Sequence, residues 1–339
     1  MCASACWCKG KVARLASGYT AAIRSNGARR TRRVVAPLTT VRPRLSKILL
    51  ACVALAAGAV LSSPARAIMA GAVPDTPAAR VDGAGLASPW SGVGSVLVEG
   101  VPFSGVAVGV RWVLTAAHVV GGRPPEMLRF AIDADGSGRP RELAVEQVDV
   151  FPGASVPYDD LALLRLAEPL PAGVAVYPVG DVALRSGQVV RLVGFGASGA
   201  GDLGPDVPAS ASVRRTGENV IDAMPAAIDD SGRRSRFFLY DFDGPFGDGP
   251  LGGPTLGNTR ESTVAVGDSG SGAFVKIGGR WVLVGINTFV GPTAKGEPRG
   301  PVFGSVGGGI LLSDPRVVRW LARRTWGTVE FASSPVRRR

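Results

Sequence analysis

From Ser95 onward the chain alternates short apolar runs with clusters of Gly, Pro and Asp. The runs include "SVLVEG", "FSGVAVGV", "RWVLTA", "DLALLRL", "GQVVRLVGFG" and "RWVLVGI". They are rich in Val and are too short to show the 3.6-residue period of an amphipathic helix. Many short strands separated by turn signals predict an all-β protein, either a sandwich or a barrel.

A Pro- and Gly-rich connection at residues 167–180 separates a first group of apolar runs from a second. We therefore predict two all-β halves, over residues 68–180 and 181–339. Residues 1–67 are set apart as a leader.

One helix is predicted near the C-terminus, in "SDPRVVRWLARR". Ser313 or Asp314 can cap it, Pro315 suits its first turn, and Val317, Val318 and Leu321 fall on one face. Between Arg233 and Arg260 the second half of the segment is dominated by Gly, Pro and Asp. This composition predicts a long surface loop.

The formal net charge of +11 is concentrated in the leader. Residues 1–67 hold 12 Lys and Arg and no Asp or Glu, which leaves 26 basic and 27 acidic side chains from Ile68 onward. A net charge of −1 there argues against nucleic acid as a partner. All four cysteines also lie in the leader, so the core is expected to hold together without disulfides.

The leader ends in "RPRLSKILLACVALAAGAVLSSPARA", with basic residues, an apolar run from Ile48 to Leu61, and an A-x-A site at residues 65–67. This pattern predicts a signal peptide over about residues 42–67, and hence a secreted or periplasmic protein without stable membrane association. The alternative is a retained anchor, although the run is shorter than the roughly 20 apolar residues of a comfortable span.

Residues 1–40 are Arg-rich, free of acidic residues, and longer than the basic head of a signal peptide. A mis-assigned translation start would explain them. Two alternatives are a twin-arginine signal at Arg32-Arg33 and a lipid-attachment site at Cys52. Against them, the apolar run begins well beyond the arginine pair, and only four residues separate Lys47 from Cys52.

The chain holds a single histidine, His118, in "RWVLTAAHVV". Downstream, Asp160 opens "DLALLRLAEPL" and Ser269 lies in "VGDSGSGAF". Each residue alone has an ordinary structural explanation. Together they match a chemical need: a serine hydroxyl becomes nucleophilic when an imidazole takes its proton, and the imidazole is oriented by a buried carboxylate.

The segments "LTAAHV", "DDLALLRL" and "GDSGSG" resemble the His, Asp and Ser motifs of the trypsin/chymotrypsin family of serine endopeptidases, in that family's order. The resemblance implies two six-stranded antiparallel β-barrels, at residues 68–180 and 181–339, with the active site between them. It assigns His118 as general base, Asp160 as orienting acid and Ser269 as nucleophile. Asp159 is adjacent, but Asp160 directly precedes the "LALLRL" strand where the family's acid stands.

The same resemblance implies an oxyanion hole formed by the backbone N–H groups of Gly267 and Ser269. Ser271-Gly272 stands where the family usually has Gly-Pro, which changes no member of the triad. An inactive relative kept for binding is the alternative function. Protein or peptide substrates are the expected partners, and the oligomeric state is open.

"IMAG", which begins at Ile68, resembles the family's Ile-Val-Gly-Gly start. In that family a freed apolar N-terminus folds inward, and its ammonium pairs with the Asp before the nucleophile, here Asp268. Because Ile68 directly follows the A-x-A site, signal cleavage itself would release the activating terminus.

By alignment with the family, Thr263 and Val290 line the primary specificity pocket. A neutral residue at 263 and a side chain at 290 favour a small or medium apolar residue before the cleaved bond; an alignment shifted by one or two positions is the alternative. No cofactor is expected. Structural calcium is considered for Asp133, Asp135 and Glu142, and for "DFDGPFGD", with a solvated turn as the default.

Overall fold

The computed structural model describes residues 68–83, 85–133, 137–247, 249–291 and 301–333. The predicted leader, residues 1–67, lies outside this part. Six strands close into an antiparallel barrel in the order β1-β2-β3-β6-β5-β4. They are β1 (Val93–Val98), β2 (Val101–Gly109), β3 (Trp112–Thr115), β4 (Leu128–Ile132), β5 (Arg141–Val150) and β6 (Ala162–Leu166).

The interior of this barrel is filled by apolar side chains from all six strands. In β5 the alternation is clear, because Leu143 and Val145 are buried while Glu142, Ala144 and Glu146 are exposed. The apolar side chains that meet inside include Val96, Val113, Phe130, Leu143, Val145 and Leu164.

A second sheet of nine strands is found in the rest of the described chain. Seven strands run in the order β11-β8-β14-β15-β16-β13-β12, and β7 pairs in parallel with both β15 and β17. Its strands are β7 (Val179–Asp181), β8 (Val189–Gly194), β11 (Arg215–Val220), β12 (Ala226–Ile228), β13 (Arg234–Asp241), β14 (Gly272–Ile277), β15 (Arg280–Val290), β16 (Val306–Leu311) and β17 (Phe331–Ser333). A separate hairpin joins β9 (Ser198–Ala200) to β10 (Gly204–Val207).

The predicted all-β class with a short C-terminal helix is confirmed. The second unit differs in detail from a ring of six antiparallel strands, because the short strands β7, β12 and β17 extend it and two pairings are parallel. The predicted loop at residues 233–260 needs a correction. Its first residues form β13, where Phe237, Phe238, Leu239 and Tyr240 are buried in the sheet, and irregular structure begins only after Asp241.

Helix α1 (Ala117–Val120) follows β3, and helix α2 (Pro315–Arg324) lies near the C-terminus. Helix α2 begins as predicted: the Asp314 side chain accepts a hydrogen bond from the Arg316 N–H at 2.8 Å, and Pro315 occupies the first turn. Short 3₁₀ turns occur at Pro77–Arg80, Gly85–Ala87 and Pro125–Met127.

One apolar cluster joins the two β-units and α2. It contains Val106, Trp112 and Leu163 from the barrel, Phe274, Leu283 and Ile310 from the second sheet, and Val317 and Leu321 from α2. Buried side chains of both units share one core. Residues of the barrel that meet residues of the second sheet are therefore held at fixed distances from them. Within the described ranges, no helix is long and apolar enough to cross a membrane.

Candidate active site

His118 lies in α1, immediately after the buried strand β3. Its backbone N–H donates to Asp160 Oδ1 at 2.9 Å, and its Nδ1 lies 2.6 Å from Asp160 Oδ2. Asp160 stands just before β6 and is fully buried, whereas the His118 side chain is 27% exposed. The Asp160 carboxylate therefore forms hydrogen bonds with both the backbone N–H and the ring of His118, the only histidine in the sequence.

Ser269 comes from the other β-unit, in the turn that precedes β14. Its Oγ lies 2.7 Å from His118 Nε2. The structure thus brings together His118, Asp160 and Ser269, which are separated by up to 151 positions in the chain. The hydroxyl, the imidazole and the carboxylate form one hydrogen-bonded line that can carry a proton away from the hydroxyl.

The pKa of His118 is raised above 6.5. Burial is the largest single influence and acts to lower the pKa, since it disfavours the imidazolium. The charge of Asp160 and its hydrogen bond to the ring together outweigh burial. The ring is therefore a stronger base than an exposed imidazole.

The turn before β14 leaves two backbone donors free. In the described part of the chain, the N–H groups of Gly267 and Ser269 donate to no protein acceptor. Gly267 has φ of 90°, a left-handed conformation that a glycine adopts without a steric penalty. These two donors can stabilise a developing oxyanion on a carbonyl attacked by Ser269.

Ser104, on β2 of the barrel, holds this turn in place. Its N–H donates to the Ser269 carbonyl at 3.0 Å, and its Oγ donates to the Gly267 carbonyl at 3.1 Å. The same Oγ accepts from the Phe195 N–H at 3.0 Å. Sequence reasoning missed Ser104, because a serine inside "FSGVAVGV" carries no signal of a contact 163 residues away.

A family model for the trypsin-like peptidase domain matches residues 103–286. The match covers more than half of the chain and contains His118, Asp160 and Ser269. The chain belongs to the trypsin-like peptidase family. Membership makes it a protease-type hydrolase. A search of curated proteins found no significant match.

In this trypsin-like peptidase, Asp268 is buried within the turn that carries Ser269. Its carboxylate accepts hydrogen bonds from the N–H groups of Gly196 and Ala265, each at 3.0 Å, and from the Ile68 backbone. Burial raises the pKa of Asp268 to about 8, although these bonds and the charge of Arg215 act to lower it. The backbone hydrogen bonds and the charge of Arg215 together therefore do not offset the cost of burying this carboxylate.

Ile68 is fully buried and packs with the core of the second sheet. The Ser198 hydroxyl donates to its carbonyl at 2.7 Å, and the next residue, Met69, donates its N–H to the Thr263 carbonyl at 2.8 Å. The residues predicted to work together in activation, Ile68 and Asp268, are thus adjacent in the fold.

Ser271, the departure from the family's usual motif, has a buried partner. Asn287 Nδ2 donates to Ser271 Oγ at 3.0 Å, and the Tyr240 hydroxyl donates to Asn287 Oδ1 at 2.9 Å. All three side chains are at most 1% exposed. The serine is accommodated because an amide supplies the hydrogen bond that a buried hydroxyl needs.

Thr263 precedes the turn that carries Ser269 in the sequence, and Val290 follows it. Thr263 is fully buried, and its Oγ1 has no hydrogen-bond partner within the described residues. Val290 is half-buried at the end of β15, where it pairs with Gly307 of β16. The segment after Gly291 lies outside the described residues until position 301. The specificity assignment stays a prediction.

Three buried carboxylates could hold a metal ion: Asp241, Asp243 and Glu261 each offer an oxygen, and these oxygens lie within 4.8 Å of one another. Asp241 and Asp243 belong to the "DFDGPFGD" segment noted in the sequence, whereas Glu261 was missed. Each carboxylate already accepts backbone hydrogen bonds, for example from Gly249 to Asp243 Oδ1 at 2.6 Å.

The other calcium candidate, formed by Asp133, Asp135 and Glu142, presents fewer carboxylates in the described part of the chain. Asp133 Oδ2 accepts from the Gly138 N–H at 3.1 Å, and Glu142 is exposed on β5. The remaining member, Asp135, lies outside the described residues. At both places the expectation stays a turn without a cofactor, with structural calcium as the untested alternative.

Proposed function

We propose that the chain is a secreted serine endopeptidase that cleaves protein or peptide substrates through an acyl-enzyme. The observation that carries the proposal is the continuous contact from Ser269 Oγ to His118 Nε2, at 2.7 Å, and from His118 Nδ1 to Asp160, at 2.6 Å. Family membership supports the same reaction class.

In the proposed mechanism, Ser269 Oγ attacks the scissile carbonyl as its proton passes to His118 Nε2. Asp160 stabilises the imidazolium and keeps its ring oriented. The N–H groups of Gly267 and Ser269 stabilise the oxyanion, which in comparable sites accelerates acylation by about 10²–10³-fold per donor. The imidazolium then protonates the leaving amine, and water releases the acyl group by the same steps in reverse order.

The triad is tested by Ser269→Ala, His118→Ala and the double variant, with Ser212→Ala as a control. If the residues act as one unit, each single variant and the double variant should lose similar, large amounts of activity, on the order of 10⁴–10⁶-fold. A fluorophosphonate should label the parent protein and Ser212→Ala but not Ser269→Ala. Normal hydrolysis by His118→Ala would contradict the assignment. A folded protein that is neither active nor labelled would indicate a binding module.

The acid limb of the pH profile should reflect the raised pKa of His118. Catalysis needs the neutral imidazole, so activity should halve at a pH above 6.5 as the base becomes protonated. Initial rates measured between pH 5 and 9 in buffers of constant ionic strength would locate this limb. Half-maximal activity well below pH 6.5 would argue that Asp160 does not act on the base.

We further propose that activation uses a free N-terminus at Ile68. An ammonium in place of the amide would neutralise the buried Asp268 and favour its charged form, which the present contacts do not. Secretion and activation would then be the same cut, in the periplasm or outside the cell.

The test compares a protein that begins at Ile68 with one that carries a single extra residue, and with Asp268→Asn. The extended form and the variant should fold but be nearly inactive, and the activity of the Ile68 form should fall at alkaline pH as its amine deprotonates. Asp202→Asn, at an exposed site, serves as control. N-terminal sequencing of the secreted protein completes the test. Full activity with an extended terminus would refute the coupling and leave the triad in place.

For specificity we propose cleavage after small or medium apolar residues. Thr263 carries no charge to pair with Arg or Lys, and Val290 narrows the pocket in the family alignment. A peptide library should show cleavage after Ala, Val, Thr or Leu. A dominant preference for Arg would mean that these two residues do not line the pocket.

A further inference from the structure

The residue before the proposed catalytic acid, Asp159, has an unusual backbone. Its φ is 49°, a left-handed conformation that is uncommon for residues other than glycine. The side chain is buried, and the Leu161 N–H donates to the Asp159 carbonyl at 2.7 Å. The chain therefore turns sharply around Asp160 just before β6.

The Asp159 carboxylate is held entirely by the other β-unit. Arg316 of α2 donates through Nη1 to Oδ2 at 2.8 Å and through Nη2 to Oδ1 at 2.9 Å, a bidentate pair. The Ser235 hydroxyl of β13 donates to Oδ1 at 2.7 Å. Two neighbouring aspartates thus point to different units: Asp160 to His118 in the barrel, Asp159 to α2 and β13.

Arg316 is itself held in one position. Its guanidinium lies over the Phe151 ring, with 5.8 Å from Cζ to the centroid, and Nη2 also contacts Asp314 Oδ2 at 3.1 Å. The Arg234 carbonyl accepts a further hydrogen bond from Nη2. A planar guanidinium with this many partners can define the orientation of the carboxylate it binds.

We propose that Arg316 and Asp159 form a clamp that positions Asp160 toward His118, and that both are positioning residues for the reaction. The inference rests on the proposed triad. Without the clamp, the ion pair and hydrogen bonds of the Asp159 carboxylate no longer offset the cost of its left-handed backbone. The residue would relax to negative φ, the following peptide would rotate, and the Asp160 carboxylate would leave the two His118 nitrogens.

The clamp makes the acid of one unit depend on the docking of the other. Ser235 and Arg316 belong to the second sheet and its helix, yet they determine the backbone that precedes the barrel's carboxylate. Among the residues that the structure describes, Asp314 also forms an ion pair with Arg316. Burial raises the pKa of Tyr158, the residue before Asp159, and the charges of Asp230 and Asp229 add to that shift.

The first test is Arg316→Met, which keeps length and contact with Phe151 but removes the donors. We expect kcat to fall by about 10–100-fold, the loss seen when a supporting contact misplaces a reacting group, with KM nearly unchanged. The acid limb of the pH profile should also shift to lower pH, because His118 loses its carboxylate partner. The control is Arg319→Met, an exposed arginine on the same helix. A folded Arg316→Met protein with parental kcat and pH profile would overturn the clamp.

The second test separates positioning from stability. Asp159→Ala and Asp159→Gly both lose the ion pair, but only glycine adopts a φ of 49° without a steric penalty. We expect Asp159→Gly to retain more kcat and a more nearly parental pH profile than Asp159→Ala. Equal kcat and equal pH profiles in the two variants would overturn the proposal, whatever their thermal stabilities.

If Asp159→Ala fails to fold, the Arg316→Met test decides. If Asp159→Gly fails to fold, Asp159→Asn takes its place, because asparagine keeps an acceptor for Ser235 and tolerates the left-handed region. It should lie between the parent and Asp159→Ala in kcat, and a value below that of Asp159→Ala would count against the clamp. The Ser269→Ala variant distinguishes the two failures. If it is inactive while Arg316→Met is normal, the clamp is wrong and the proposed function stands.

Discussion

The absence of a side chain at Gly196 allows the turn that carries Ser269 to pack on the segment after β8. A Cβ built on Gly196 would lie 2.3 Å from the Asp268 nitrogen and 2.6 Å from the Gly267 carbonyl carbon. Both are backbone atoms and cannot move aside as a flexible side chain could. The same glycine donates its N–H to Asp268 Oδ1. Gly196 therefore determines both the distance and the hydrogen bonding of the proposed oxyanion turn.

We predict that Gly196→Ala destabilises the protein by about 1–3 kcal/mol, the usual cost of overpacking. It should also lower kcat/KM, because the added methyl group displaces the Gly267 N–H. Urea unfolding and peptide hydrolysis on the same preparation measure the two effects. Gly83→Ala is the matched control, because its added Cβ would meet nothing within 4 Å. Unchanged kcat/KM in Gly196→Ala would show that the turn tolerates the displacement.

At the scale of elements, a chain of buried polar side chains links β13 and β15 to the segment between Ser269 and β14. Tyr240 on β13, Asn287 on β15 and Ser271 before β14 form successive hydrogen bonds of 2.9 and 3.0 Å. Two backbone contacts reinforce it: the Gly270 N–H donates to the Asn287 carbonyl, and the Asn287 N–H donates to the Ser271 carbonyl.

We predict that Ser271→Ala costs about 1–3 kcal/mol, because it leaves a buried amide donor with a weaker partner. Asn287→Val should cost at least as much, because the hydroxyls of Ser271 and Tyr240 both lose this buried partner. The double variant should be destabilised by less than the sum, since both members of the pair are then absent. Equilibrium unfolding of the four proteins gives the coupling energy. Additive losses would mean that the two side chains do not stabilise each other.

A pair of carboxyl groups joins β13 to the segment after β11. The Asp241 N–H donates to Asp222 Oδ2 at 2.9 Å. Burial raises the pKa of Asp222 to about 8 and that of Asp241 to about 6, and charge repulsion within the acidic cluster adds to both shifts. The folded state thus holds protons that the unfolded chain releases. The free energy of unfolding should therefore fall as the pH rises from about 4 to about 8.

We predict that Asp222→Asn weakens this pH dependence and stabilises the protein at pH 8.5. The amide keeps an acceptor for the Asp241 N–H and supplies a donor to the carboxylate. The gain should be on the order of 1 kcal/mol, because the group is half-buried and solvent screens the full effect. Urea unfolding at pH 5 and 8.5 measures it, with exposed Asp202→Asn as control. A variant that is less stable at pH 8.5 would show that the carboxylate has a stabilising partner.

At the scale of the whole molecule, an aromatic group at the start of the barrel packs against the second sheet. The Trp90 ring lies 4.6 Å from Trp281 and 5.1 Å from Phe274, measured between centroids. Tyr177, from the segment before β7, packs against both Trp90 and Phe274. Because these rings belong to the cluster that joins both units, the units should unfold together.

We predict that Trp90→Ala costs about 3–5 kcal/mol, as expected for a large buried aromatic residue. The parent should unfold in a single transition, seen alike by tryptophan fluorescence and by circular dichroism. The control is Trp326→Ala, whose side chain is 68% exposed and should cost much less. Two separate transitions in the parent protein would show that the shared cluster does not couple the units.

Much of the local structure could be predicted from the sequence because it depends on neighbouring residues. Short Val- and Leu-rich runs bounded by turn residues predicted strands such as β3 and β6, and the cap at Asp314 with Pro315 predicted the start of α2. The three motifs identified His118, Asp160 and Ser269 as one site, through their order and their resemblance to a family. The all-β class followed from strand length and turn residues alone.

What only the tertiary structure decided depends on contacts between residues far apart in the chain. The sequence around Ser104, Arg316 and Asn287 contains no pattern that predicts their contacts. These residues bind Gly267, Asp159 and Ser271, respectively. The added strands of the second sheet depend on pairings such as Val179 with Phe331, which no local pattern contains. Periodicity and capping are encoded within a few residues, whereas a buried polar group finds its partner only when the whole chain has packed and excluded water around it.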